Sequence, residues 1–210
     1  PSPVKGHFNA IIDSKTLRQL LLDIDAYQGS FVVRIALQIQ PMVFARPANL
    51  VEMEWAEIDL DNAQWVIPAE KMKMNDRHIV PLANQVIELL NEIHPLTGKG
   101  KYVFASNQGK IKSGHISRET PGAILRRLGY KGTHTMHGFR TTASTTLHEK
   151  GFNSDMIERQ LSHGERNLVK AAYCHAEYLP ERKEMMQSWA DYLGALKAGA
   201  QVIPFRRNVG

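Results

Sequence analysis

The segment Thr133-His134-Thr135-Met136-His137-Gly138-Phe139-Arg140 stands at the start of a helix that the sequence predicts over His137–Glu149. His137 and Arg140 are three residues apart, so both side chains project from one face of that helix, about 5–6 Å from each other. A histidine that can move a proton, beside a guanidinium that is always charged, suits binding and chemistry at a phosphate. His134 and His137 also allow a different interpretation as a pair of metal ligands, which the lack of a nearby carboxylate or thiolate disfavours.

The chain on either side of this segment is predicted to be mainly helical. Apolar spacing, proline positions and capping residues predict further helices over 14–24, Phe31–Phe44, Pro47–Glu54, Asn84–Ile93, Ser154–Ser162, around Tyr173 and over Pro180–Leu196. Pro41 lies inside the second of these helices and predicts a kink or an early end there. Three runs typical of strands, Ala56–Leu60, Ala63–Pro68 and His78–Leu82, predict a small antiparallel sheet. The predicted fold class is therefore mainly α with a small antiparallel β-sheet (α+β).

Length and composition limit the classes of protein to which the chain can belong. Its 210 residues, of which 43% are apolar and 22% charged, fit one globular domain or a main domain with a small appendage. No apolar run approaches the roughly 18 residues that a membrane span needs. The single cysteine, Cys174, excludes an internal disulfide and any zinc site with two or more thiolates, and it suits a reducing cytosol.

Positive charge is concentrated in one part of the chain. The formal net charge is +5, and residues 97–132 contain eight basic residues against one acid, Glu119. A charge run is usually only a solvated surface, but an excess of this size is also typical of a surface that binds a polyanion.

Further candidate residues lie on both sides of the His137–Arg140 pair. Arg46 precedes Pro47 at the start of a short predicted helix, and Lys71 and Lys73 stand in the predicted loop before the third strand. Downstream, the sequence Leu161-Ser162-His163-Gly164 ends a predicted helix, and Tyr173 stands ten residues after His163.

Taken in this order, the residues resemble the motifs of the tyrosine recombinase family, in particular the integrases of temperate phages and genomic islands. That family carries an arginine in an Arg-Pro-x-Glu-Leu-like turn, a hairpin lysine before a Val-Pro-Leu strand, a His-x-x-Arg box, a Leu-x-His and a later tyrosine. Lys73 rather than Lys71 corresponds to the family's lysine, because it lies eight residues before Pro81. The resemblance runs from about residue 14 to residue 196. Asn49 departs from it, because the family usually has an acid there, whose implied role is to orient the first arginine or to cap the short helix.

The resemblance implies a reaction and a role for each of six residues. A tyrosine hydroxyl attacks a DNA phosphodiester and gives a 3′-phosphotyrosyl link and a free 5′-hydroxyl, with no metal or other cofactor. The implied catalytic residues are Tyr173 as nucleophile, His137 as proton acceptor, Lys73 as proton donor to the leaving oxygen, and Arg46, Arg140 and His163 as ligands of the phosphate oxygens. Tyr178 is the competing candidate for the nucleophile.

The resemblance also implies partners and a domain arrangement. The partners are double-stranded DNA attachment sites, further copies of the chain in a tetrameric synapse, and DNA-bending and excision accessory proteins, in the bacterial cytoplasm and at the nucleoid. The implied DNA contacts are Lys71, Arg77, Lys110, Lys112, Arg118, Arg126 and Arg127. We expect a catalytic domain over 1–196, a flexible tail over 197–210, and DNA-binding domains upstream of this chain. The apolar stripe of the helix at about 180–196 packs either on its own domain or on a neighbouring protomer, and the sequence leaves both open.

Three other functions are compatible with the sequence. A nicking-closing enzyme like type IB topoisomerases uses similar residues without exchanging DNA partners. A DNA-binding module without catalysis is the second, with Asn49 as a sign of lost activity. A histidine-rich metal hydrolase is the third, although the carboxylate partners of such a site are missing from the sequence.

Overall fold

Residues 9–106, 113–162 and 178–200 are described by a computed structural model, and they form a mainly helical fold with one small antiparallel sheet. This confirms the predicted fold class. The helices are α1 (Ser14–Asp25), α2 (Phe31–Val43), α3 (Pro47–Val51), α4 (Asn84–Thr97), α5 (Thr120–Leu125), α6 (Gly138–Glu149), α7 (Ser154–Gln160) and α8 (Leu179–Ala198). The strands are β1 (Ile58–Asp59), β2 (Gln64–Ile67) and β3 (His78–Pro81). None of these helices is long and apolar enough to cross a membrane.

The sheet has the strand order β1-β2-β3, and all neighbours are antiparallel. Its centre is Trp65, which is opposite Ile58 on one side and Val80 on the other and is fully buried. The first strand is shorter than predicted, because residues 55–57 form a 3₁₀ turn. That turn begins with a capping box in which the side chains of Glu54 and Glu57 bond each other's backbone N–H groups.

Two helices continue past prolines. The sequence predicts a kink or an early end at Pro41, and the early end is wrong: α2 continues to Val43, and Phe44, whose φ is 57°, caps its end. Helix α4 likewise continues through Pro95 to Thr97, four residues beyond the predicted end. A proline in the last turn of a helix removes one backbone donor. At Pro41 the burial of Met42 and Val43 offsets that loss.

Helix α8 packs on its own chain. Met185, Trp189, Leu193 and Leu196 of its apolar stripe are all buried, and Trp189 Nε1 donates to the Pro41 carbonyl at 2.8 Å. The helix continues through Lys197, which pairs with Asp25 at 3.0 Å in α1, and ends at Ala198. The first two residues of the predicted tail are therefore helical, and residues 201–210 lie outside the described residues.

The segment before α1 is joined to the start of α6. The N–H of Ile11 donates to His134 Nδ1 at 3.0 Å, and the carbonyl of Ile11 accepts from Thr142 Oγ1 at 2.7 Å. A Cβ atom at Gly138 would lie 2.4 Å from the carbonyl oxygen of Asn9, so only glycine allows this approach. His134 is 2% exposed, and its Nδ1 accepts the hydrogen bond that holds this junction.

This buried histidine predicts that stability depends on pH. Burial lowers the pKa of His134 to about 4, from an ordinary value of 6.5. The unfolded chain therefore binds a proton that the folded chain does not, so the free energy of unfolding falls as the pH drops from about 6.5 towards 4. The loss attributable to this side chain is on the order of 3 kcal/mol.

Urea unfolding of His134→Asn measures that contribution. The asparagine oxygen can accept from Ile11 as Nδ1 does, but it does not titrate, so we expect a shallower fall with acid than in the wild-type chain. His148→Asn is the matched control, because His148 lies exposed on α6. Equal pH dependence in the wild-type and His134→Asn chains would contradict the assignment.

Candidate active site

Arg46 lies in the turn between α2 and α3. Its backbone is extended, with φ −63° and ψ 141°, as proline requires of the residue before it. Pro47 then occupies the first turn of α3, where its missing N–H costs nothing. Phe44, two residues before Arg46, has a left-handed backbone and is buried edge-to-face against Trp189 at 6.0 Å. The half-buried Arg46 therefore projects from a turn held by core packing.

Arg140 lies in the first turn of α6 and is 5% exposed. Its Nη1 donates to the carbonyl of Phe44, and its Nη2 donates to the carbonyl of Leu161 at 2.7 Å. Both carbonyls lie at the C-terminal ends of helices, where backbone oxygens lack helical partners and carry partial negative charge. One guanidinium therefore joins the turn that leads to Arg46 with the end of α7.

The two predicted arginines are brought together. The pKa of Arg140 is lowered to about 10, first by burial and then by the positive charge of Arg46, while Glu158 acts in the opposite direction. Arg140 bonds the carbonyl of Phe44, two residues before Arg46, so the two arginines belong to adjoining turns. An anion such as a phosphodiester would relieve the repulsion between their charges.

His137 is the residue immediately before α6, and it is half-buried. Its carbonyl accepts the backbone N–H of Arg140 at 3.0 Å, so the two residues belong to one helical turn. Thr135 Oγ1 accepts from the N–H of Gly138 at 2.9 Å and caps the start of the helix. The predicted His137–Arg140 pair is thus fixed at the N-terminus of α6.

Lys71 and Lys73 lie in different environments in the loop between β2 and β3. Lys71 Nζ lies 2.7 Å from Glu54 Oε1 and 3.0 Å from the carbonyl of Glu52, and it also contacts Glu57. Although burial acts to lower it, the pKa of Lys71 is raised because these carboxylates stabilise the charged form. Lys73 is exposed on the same loop. Unlike Lys71, it can therefore reach a ligand without first breaking ion pairs with Glu54 and Glu57.

Known proteins are similar in sequence to this chain over most of its length. The sequence profile of the phage integrase family matches residues 11–179. The chain belongs to the phage integrase family. It is 38% identical to prophage integrase IntA of Escherichia coli (strain K12) over 188 residues, which are 89% of this chain and 45% of that protein. It spans about half the length of the curated relatives it matches.

Solved structures of integrases share the fold. The integrase from mycobacterium phage Brujita superposes with a TM-score of 0.65 at 16% identity, covering 100% of this chain and 63% of that chain. The Tn1549 transposon integrase in complex with circular intermediate DNA gives a TM-score of 0.59 at 16% identity, over 87% of this chain and 66% of that one.

Several residues predicted for this integrase-family site cannot be placed. His163, Tyr173, Lys110 and Lys112 lie outside the described residues. Of the other predicted DNA contacts, Arg77, Arg126 and Arg127 are exposed, whereas Lys71 holds Glu54 and Glu57, and Arg118 Nε donates to Glu52 Oε1 at 2.5 Å. Contact with DNA stays a prediction for all of them, and for Lys71 and Arg118 it would require them to leave these carboxylates.

Asn49, which replaces the family's usual acid, neither caps α3 nor contacts an arginine among its described bonds. It lies inside α3, is 7% exposed, and donates from Nδ2 to the carbonyl of Lys71 at 2.9 Å. A carboxylate cannot make this bond, because it has no hydrogen to donate. Asn49 therefore ties α3, which starts beside Arg46, to the loop that carries Lys73.

Two buried polar residues near the site, Gln160 and Arg182, are not among those predicted from the sequence. Each is 1% exposed. A signal was available, because Gln160 follows Ile157 on the buried face of α7 and Arg182 precedes Met185 and Trp189 on the apolar stripe of α8. A polar residue within an apolar stripe indicates a buried bonded group.

Restoring the acid of the family at position 49 is expected to destabilise this chain. In Asn49→Asp, an acceptor faces the carbonyl of Lys71, and the free energy of unfolding should fall by about 1–3 kcal/mol. Urea unfolding measures this, with Asn75→Asp as the control, since Asn75 is exposed on the same loop and both residue types tolerate its positive φ. A stability equal to or above that of the wild-type chain would show that the bond to Lys71 has no such role.

Proposed function

We propose that this chain is the catalytic part of a site-specific DNA recombinase, which cleaves and rejoins DNA through a 3′-phosphotyrosyl intermediate during integration and excision of a mobile element. The observation that carries the proposal is the convergence of Arg46 and Arg140 beside His137, in a member of the phage integrase family. A phosphodiester bound between these two cations would relieve their mutual repulsion.

The first step is attack by Tyr173 Oη on the phosphorus. A free tyrosine has a pKa near 10, so only about 0.3% is ionised at pH 7.5, and the hydroxyl needs a base. His137 accepts the proton as the oxygen–phosphorus bond forms. The bond from phosphorus to the 5′-oxygen breaks, and the phosphate stays on the tyrosine as a 3′ diester.

Arg46 and Arg140 bind the non-bridging oxygens, with His163 as a further donor. The phosphodiester carries one negative charge and approaches two in the transition state, which these donors neutralise. Arg140 is already fixed by the carbonyls of Phe44 and Leu161, so little reorganisation is needed when charge develops. Loss of one such donor costs about 10²–10³ in rate. Two guanidinium groups supply the positive charge that a metal ion gives other phosphoryl-transfer sites.

Lys73 donates the proton to the departing 5′-oxygen. It is exposed on the loop between β2 and β3, whereas Lys71 is engaged by Glu54 and Glu57. The raised pKa of Lys71 makes it a poorer acid as well. Attack by a second 5′-hydroxyl on the phosphotyrosine then reverses these steps and exchanges strands.

The proposed partners follow from this reaction. Double-stranded attachment-site DNA is the substrate, the exposed Arg77, Arg126 and Arg127 contribute phosphate contacts, and four copies of the protein assemble on two DNA sites. DNA-bending and excision proteins assist, and the work is done in the bacterial cytoplasm at the nucleoid.

Covalent trapping tests the proposal. On a suicide substrate nicked beside the cleavage site, the wild-type chain should form a protein–DNA adduct that survives denaturation and chelator. Tyr173→Phe should abolish it, and Tyr178→Phe is the matched control that should retain it. Peptide mapping of the attached residue makes the assignment direct.

Each of the other outcomes of this assay would indicate a different function. Binding without an adduct would indicate a non-catalytic DNA-binding module. An adduct accompanied by plasmid relaxation but no recombinant product would indicate a nicking-closing enzyme. Loss of activity in chelator would indicate a metal-dependent hydrolase.

Lys73 has its own test, which uses the acidity of the leaving group. Lys73→Ala should slow adduct formation by about 10²–10⁴-fold, the usual contribution of a general acid. Replacing the bridging 5′-oxygen by sulfur should restore most of that rate, because a thiolate leaves without a proton. The rate of adduct formation by Lys71→Ala should not rise on the sulfur-substituted DNA. If sulfur restores the rate of Lys71→Ala and not that of Lys73→Ala, Lys71 is the proton donor.

A further inference from the structure

Arg182 is a buried cation in the first turns of α8. It is 1% exposed, which is unusual for arginine because burying a charge is costly unless strong hydrogen bonds compensate. Its Nε and Nη2 both donate to Gln160 Oε1, at 3.0 and 2.7 Å, and Nη2 also donates to the carbonyl of Ile79 in β3. The side chain therefore joins α8 to α7 and to the sheet.

Gln160, the last residue of α7, is the centre of this network. Because a guanidinium only donates hydrogen bonds, Arg182 fixes the amide with its oxygen towards α8. The amide nitrogen then faces α2, and Nε2 donates to the carbonyl of Val43 at 3.2 Å. The backbone carbonyl of Gln160 accepts from His78 Nε2 at 3.1 Å.

The network is adjacent to both carbonyls that hold Arg140. Gln160 bonds the carbonyl of Val43, and Arg140 bonds that of the next residue, Phe44. On the other side, Arg140 bonds the carbonyl of Leu161, the residue after Gln160. Each of the two turns that hold the Arg140 guanidinium is thus braced one residue away by Gln160.

We propose that Arg182 and Gln160 are positioning residues for DNA cleavage, which set the two turns that hold Arg140 and lead to Arg46. This inference rests on the proposed function and deepens it. Its consequence is that Arg46 and Arg140 have the geometry needed for cleavage only while Arg182, at the start of α8, contacts Gln160. Since α8 follows residue 177 in the chain, the seating of the helix after Tyr173 is linked to the geometry of the phosphate site.

Gln160→Glu tests the proposal without removing the bond to α8. Its carboxylate still accepts from Arg182, with a charge-assisted bond that is stronger than the original, but an oxygen now faces the carbonyl of Val43. In single-turnover cleavage of the suicide substrate, we expect the rate of adduct formation to fall about 10–100-fold, the effect of a small misplacement of catalytic groups. The dissociation constant for the same DNA should stay at the wild-type value, while the free energy of unfolding should fall, as in Asn49→Asp.

A second variant and a control, both made in the full chain, accompany Gln160→Glu. Arg182→Lys keeps the charge but cannot donate from two nitrogen positions to Gln160 and Ile79, so it should also lower the cleavage rate with DNA affinity unchanged. Glu184→Gln is the control on the same helix, because Glu184 is exposed, and it should cleave at the wild-type rate. A purely structural role would lower the DNA affinity together with the rate, at a temperature where the variants are folded.

Hydrogen exchange of the free protein gives a readout that needs no activity. The amides of Leu161 and Ser162, which bond the carbonyls of Ile157 and Arg159, should exchange faster in Gln160→Glu than in the wild-type chain. A wild-type chain that forms no adduct would overturn the proposed function. The hydrogen-exchange rates would then be the test of whether Gln160 holds the two turns in place. Unchanged exchange in Gln160→Glu, or a wild-type rate of cleavage in that variant, would overturn the positioning role.

Discussion

The buried guanidinium of Arg140 is the group on which the rest of the site depends. It donates to the carbonyls of Phe44 and Leu161, which belong to the ends of two different helices. Hydrogen bonds to a planar guanidinium are directional, so these contacts fix the end of α2 relative to the end of α7. Arg46 stands two residues beyond Phe44. The position of the second cation is therefore a consequence of the bonds made by the first.

Other buried polar side chains around Arg140 also connect separate elements by donating hydrogen bonds to backbone carbonyls. Gln160 bonds Val43, Asn49 bonds Lys71, and Arg182 bonds Ile79. Carbonyls at the ends of helices, in loops and on an edge strand such as β3 can lack partners within their own element, so a side chain that reaches one satisfies it and fixes a connection. Replacing one member leaves the other unsatisfied in a dry environment, which is why such networks specify a single arrangement.

The hairpin loop separates two lysines that are two residues apart in sequence. Lys71 is held by Glu54 and Glu57, and its main-chain carbonyl is held by Asn49. The base of the loop is thereby anchored to α3 and to the 3₁₀ turn before β1, while Lys73 stays at the surface. The substitution of an amide for the family's acid fits this arrangement, because only an amide can donate to a carbonyl.

The sequence by itself determined all three strands, most of the described helices and the local setting of the key arginines, but it did not predict α5. Pro47 alone dictates the extended backbone of Arg46, and apolar periodicity alone dictates which faces of α1, α2 and α8 are buried. These features depend on neighbours within a few residues. Tertiary structure decided the continuation of α2 past Pro41, the different settings of Lys71 and Lys73, and the roles of His134, Asn49, Gln160 and Arg182. The physical reason is distance along the chain: Arg140 and Phe44 are 96 residues apart, and Arg182 and Ile79 are 103 apart. Bonds between such residues exist only after the core has brought their elements together, and no local pattern encodes them.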